Sequence, residues 1–136
     1  MRSRLLFGGR VVAALLLLAT GIVHLRLYFD SYRHTDVGGP FLLQAAAAFV
    51  LAVALVAWRS PISLFAGLVL MDATLIGFGL SRTSRGVFGF TESGFEPSPD
   101  AAISLVIEIV AAVVLVVLIF LELRPQPAPA SRPALS

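Results

Sequence analysis

Residues Ala101–Leu121 read AAISLVIEIVAAVVLVVLIFL. A helix crosses a ~30 Å hydrocarbon core in ~20 apolar residues, and this stretch meets that length with Glu108 as its one charge. A second stretch, Pro61–Leu80 (PISLFAGLVLMDATLIGFGL), has the same character and carries Asp72. A carboxylate at bilayer depth costs at least ~2.5 kcal/mol on insertion scales, so it is expected to face a protein interior and to mark a candidate site.

Two more apolar runs precede these, which gives four in all: Gly8–Leu27, Phe41–Trp58, Ile62–Leu80 and Ala101–Leu123. Each approaches a full span, and four segments cannot close a β-barrel, so helix is the only spanning structure open to them. The expected fold is therefore all-α, a four-helix transmembrane bundle over residues 1–123, followed by a disordered Pro-rich tail at 124–136. Composition agrees. The chain is 58% hydrophobic and 13% charged, whereas a soluble domain carries about a quarter charged residues. Its 136 residues leave no room for a separate soluble domain.

Local signals mark the helix ends. Ser60-Pro61 and Ser98-Pro99 each place a capping side chain before a proline suited to the first helical position, and Gly38-Gly39-Pro40 does similar work before the second helix. Trp58 fits one membrane–water interface; Tyr28, Phe29 and Tyr32 fit the opposite one. Arg2, Arg4 and the apolar Val11–Ala19 imitate a signal peptide, but the apolar pattern continues through Ile22, Val23, Leu25 and Leu27, so the segment is expected to stay in place.

All ten basic residues are arginine. Arg2, Arg4, Arg10, Arg59, Arg124 and Arg132 fall on one side; Arg26, Arg33, Arg82 and Arg85 fall on the other. The richer side is expected to be cytoplasmic, which puts both termini inside a bacterial plasma membrane. A net charge of +2 offers no patch that could grip nucleic acid. The absence of cysteine removes disulfide relays, thiolate metal sites and iron–sulfur clusters. No Walker loop, nucleophile elbow or dinucleotide fingerprint is present. His34 falls in a loop and cannot pair with His24 across one haem. No cofactor is indicated.

Counting at 1.5 Å per residue places Glu108 and Asp72 each ~12 Å below the same end of the bundle, with Gln44 and His24 ~6 Å down. The two carboxyls thus share nearly one layer, and each helix points one polar group into the half of the bundle nearest that end. His24 shares a face with Thr20, Gly21 and Tyr28, Gln44 with Ala47 and Ala48, and Glu108 with Ser104, Ala111 and Ala112. Small residues mark helix packing faces in membranes. Asp72 differs, because its neighbours Leu68, Val69, Leu75 and Ile76 are large and apolar. The cluster has three readings: polar glue between helices, proton or ion handling, or a divalent metal held by His24, Asp72 and Glu108.

The connections at that end also look structured. One is Tyr28–His34, with Arg33 among its charges. The other is Arg82–Asp100, where Gly86, Gly89 and Gly94 space Phe88, Phe90 and Phe95, and where Glu92 lies. Arginines and carboxylates in both have two readings: a solvated acidic–basic surface, or ion pairs between the loops that cap the polar cluster.

Three stretches resemble a group of uncharacterised short four-helix membrane proteins from actinobacteria: Gly21–Tyr28 (GIVHLRLY) with Tyr32-Arg33, Gly39–Gln44 (GPFLLQ), and Val87–Pro99 running to Glu108. The resemblance implies the membrane fold and brings no activity with it. In size and helix count the chain is also similar to DoxX-type membrane proteins, a likeness of architecture alone. The expected function is a non-enzymatic accessory or small transport component; the alternative is a DoxX-like subunit of a redox- or metal-linked membrane enzyme. Membrane lipids are the expected partners, with room for a homo-oligomer or a partner membrane protein.

Overall fold

The computed structural model describes residues 1–125. The expected disordered tail therefore lies, from residue 126 onward, outside the described residues, as does Arg132. The described residues form four α-helices: α1 (Arg2–Leu27), α2 (Gly38–Ala57), α3 (Pro61–Ser81) and α4 (Asp100–Leu123). Each is long and apolar enough to cross a membrane. They run alternately up and down, and each packs on the next with α4 returning to α1. The N-terminus, the α2–α3 turn and the end of α4 share one end of the bundle, called here the terminal end. The two longer connections share the other, the loop end.

The helix starts show what apolarity alone misses. α1 begins at Arg2, six residues before the apolar run, because its polar first turn is tied down. The Arg2 guanidinium donates to the Leu121 and Arg124 carbonyls at the end of α4, which an α-helix leaves without intrahelical partners. At ~39 Å, α1 is longer than a membrane core, and a π-helical turn at Tyr28–Tyr32 extends it. Ser60 caps α3 as expected, with its Oγ accepting from Ile62 N–H at 3.2 Å and Pro61 opening the helix. Ser98 does not cap α4. Pro99 holds that position, the carbonyls of Pro97 and Pro99 start the hydrogen-bond ladder, and Asp100 supplies the negative charge that a helix N-terminus favours.

The tightest packing is in the terminal half. Leu17, Leu55, Leu64, Met71 and Leu115 are fully buried there, interleaved with Ala13, Ala14, Ala52 and Ala111. α1 and α2 approach closely through small residues, and a Cβ on Gly21 would fall 2.8 Å from the Phe49 ring. The outer faces carry exposed apolar side chains on every helix, including Leu15, Val50, Val53, Val69, Ile76 and Val113. So broad an apolar surface has no place in water; with four spanning helices, it is that of a multi-pass membrane protein.

Near the terminal end, Arg10 is 2% exposed. It clasps Glu122 on α4 at 2.7 and 2.9 Å. It also donates to the carbonyls of Leu55, Trp58 and Ser60 and to Ser63 Oγ. One guanidinium thus ties α1 to α4 and to the turn between α2 and α3.

Candidate functional site

The loop half is hollow. A cavity of about 570 Å³ lies between the helices there, beside α2 and α3, the neighbouring pair with the least mutual packing. Its walls are largely apolar, drawn from Phe41 and Leu43 on α2, Leu70, Ala73 and Phe78 on α3, and Val87 with Phe90 from the second connection. Leu43 on α2 and Ala73 on α3 line it and are also exposed. The cavity therefore opens sideways between α2 and α3.

Three of its polar groups sit together, apart from Tyr32, Arg82 and Glu92 at the mouth. His24, Gln44 and Glu108, on α1, α2 and α4, are buried and line the same cavity. Glu108 is 2% exposed, and its Oε1 accepts from Ser104 Oγ one turn earlier at 2.8 Å and from Thr20 Oγ1 on α1 at 3.0 Å. His24 Nδ1 lies 3.0 Å from the Thr20 carbonyl. A carbonyl only accepts, so Nδ1 donates to it, and Nε2 faces Glu108 Oε1, 3.7 Å away. The Phe41 ring lies 5.1 Å from the imidazole. Gln44 Nε2 is buried and has no hydrogen-bond partner among the described residues. Buried donors are normally satisfied, and each exception calls for an explanation.

Asp72 does not join this group. It is exposed, in one stripe with the exposed Phe65, Val69 and Ile76. The inward face of α3 runs through Leu64, Gly67 and Met71, and the next residue is rotated ~100° away by helix geometry. The placement of Asp72 in the inward polar layer is therefore corrected. So is the three-ligand metal reading, since His24 and Glu108 are left as a pair and no three His, Cys, Asp or Glu residues converge among the described residues.

The second connection folds over the cavity mouth. A tight turn joins Val87 to Phe90 by reciprocal backbone bonds. Gly86, Phe88 and Gly89 take positive φ within it; glycine suits that region, and Phe88 enters it only because the turn demands it. Glu92 accepts from Tyr32 Oη at 2.5 Å and pairs with Arg82 at 3.4 Å. Arg82 also donates to the carbonyls of Gly94 and Glu96 and lies 3.7 Å over the Phe78 ring. Tyr32 meets Phe41 at 4.3 Å and Phe90 edge-on at 5.5 Å. The two connections are thus joined chiefly through Tyr32 and Glu92, and Arg26 adds ion pairs to Asp30 and Asp100. Tyr28 is half-buried against Phe29, away from the cavity; Arg33 is exposed.

Sequence reasoning missed Arg10 with Glu122. The available signal was a basic residue and an acidic residue at matching depth in two apolar runs. No protein-family model, curated protein or solved structure matches this chain.

Proposed function

We propose that the chain is a non-enzymatic component of a bacterial plasma membrane that takes a small apolar molecule from the bilayer into the loop-end cavity, as an accessory or small transport protein. One observation carries the reading: an apolar cavity of about 570 Å³ that opens sideways and ends on His24, Gln44 and Glu108. Its size lies within the usual range of small-molecule sites, about 300–1,000 Å³, as does its combination of apolar wall and few polar groups. A sideways opening selects molecules already dissolved in lipid. The arginine bias that sets both termini in the cytoplasm puts the cavity in the outer leaflet.

The test is photolabelling in liposomes with a twelve-carbon alkane bearing a diazirine, followed by peptide mapping. Label is expected on Leu43, Leu70 and Ala73. Gly77→Leu should abolish it: Gly77 lines the cavity, and a Cβ added there meets nothing within 4 Å. The substituted helix should fold at least as well, because leucine is the better helix former. Label spread evenly over the lipid-facing surface, and unchanged by Gly77→Leu, would refute the reading.

A further inference from the structure

Gln44 lines the cavity, and its buried Nε2 is a donor without a partner among the described residues. The cavity also holds acceptors. Thr20 and Ser104 both bond Glu108 Oε1, which leaves Oε2 outside that pair of bonds, and His24 Nε2 lies 3.7 Å from Oε1. A ligand that fits must therefore accept one hydrogen bond and donate another. The rest of it must be largely apolar, because the wall beside these groups is built from Phe41, Leu70, Ala73, Phe78 and Phe90, while Tyr32, Arg82 and Glu92 at the mouth bond one another. One hydroxyl group meets both demands, since it accepts with a lone pair and donates its proton. A carboxylate or phosphate would meet Glu108, and Arg82, the cation in the lining, is already paired with Glu92. An ammonium would leave the Gln44 donor unpaired.

We infer that the ligand is a neutral, lipid-soluble alcohol whose hydroxyl accepts from Gln44 Nε2 and donates to Glu108, with its hydrocarbon body in the apolar cavity. This rests on the reading of the cavity as a ligand site and adds the chemical class. It also gives Gln44 a role that polar glue does not, for glue would have used both ends of the bond.

The chain suits a direct test. It has no asparagine and only two glutamines, Gln44 and Gln126, so nitrogen-15 spectra of the whole protein in micelles show two side-chain amides, and Gln126→Ala assigns them. Dodecan-1-ol, 1-methoxydodecane and dodecane are titrated at equal mole fraction in the detergent. The Ala73 backbone amide reports occupancy and the Gln44 side-chain amide reports the hydrogen bond. Dodecan-1-ol should shift both and bind about tenfold or more tighter than dodecane, the difference expected for one or two hydrogen bonds. The ether, which accepts but cannot donate, should shift Gln44 and bind between the two. Gln44→Met, which keeps the side-chain length and removes the buried amide, should bring all three ligands to within about threefold of one another. Equal binding of the three with an unmoved Gln44 amide would overturn the hydroxyl assignment and leave the apolar site standing. No shift at Ala73 with any of them would overturn both.

Discussion

Glu122→Gln should loosen the terminal end of the bundle while leaving the loop-end cavity intact. Removing one partner of a buried ion pair costs about 3–5 kcal/mol. Here the cost is expected nearer 2–3 kcal/mol, because the Glu122 side chain keeps 20% of its exposure and Arg10 keeps the Ser60 and Trp58 carbonyls and Ser63 as acceptors. Arg10→Met should cost more, about 3–5 kcal/mol, since it leaves Glu122 unpaired and strips three carbonyls of a donor at once. Arg10→Lys should rescue little, because an ammonium cannot reproduce a bidentate carboxylate bond together with the carbonyl contacts. Thermal unfolding in detergent measures these losses. Trp58, the one tryptophan, supplies a local fluorescence signal, since its carbonyl belongs to the network. The decisive result is the double variant Arg10→Met/Glu122→Met. Pairs replaced whole by apolar residues are often neutral, so the double should be more stable than the sum of the two singles predicts, with a coupling of at least about 1.5 kcal/mol. A coupling below about 0.5 kcal/mol, the scatter of independent sites, would show that Arg10 and Glu122 do not act as a unit.

Two other substitutions test the rest of the frame. Tyr32→Phe removes the hydrogen bond to Glu92, worth about 1.5–3 kcal/mol when the acceptor is charged; hydrogen exchange should rise across residues 82–99 with little change in the middle of the helices, and unaltered exchange there would show that this bond does not hold the connection. Asp72→Leu should leave thermal stability within about 0.5 kcal/mol in detergent, as expected for an exposed side chain, whereas Glu108→Leu strands the Thr20 and Ser104 hydroxyls and should cost about 1–3 kcal/mol; equal losses would contradict the outward placement of Asp72.

The four helices were legible because spanning hydrophobicity is a sum over some twenty residues and survives any local exception. Depth was legible too, since rise per residue is fixed. Rotation about the helix axis was not. Glu108 declared its inward face through Ser104, Ala111 and Ala112, but Asp72 sits among large side chains that suit lipid as well as a core. Arg10 and Glu122 were hidden for another reason: charges near helix ends read as topology signals and say nothing of their partners. The Tyr32–Glu92 bond joins two connections separated by the whole of α2 and α3, beyond the reach of any local pattern. The cavity was least legible of all, because an absence of packing leaves no mark in sequence.

That absence has an energetic consequence. A sealed, empty void costs about 24 cal/mol per Å³, so 570 Å³ held dry would cost ~14 kcal/mol by that coefficient, and about half as much if only half of it is enclosed. The larger figure rivals the entire stability of an ordinary domain, about 5–15 kcal/mol. Polar contacts keep the space from collapsing. Arg10 pins the α2–α3 turn at the terminal end, and Tyr32, Glu92 and Arg82 brace the mouth. A space that opens to the bilayer is filled from it, and what fits both kinds of wall offsets that cost best. Water would satisfy Gln44 but would wet a wall of phenylalanine and leucine. A lipid chain would cover that wall but leave Gln44 unpaired. A molecule with an apolar body and one hydrogen-bonding head does both, so its removal should lower thermal stability as well as empty the site.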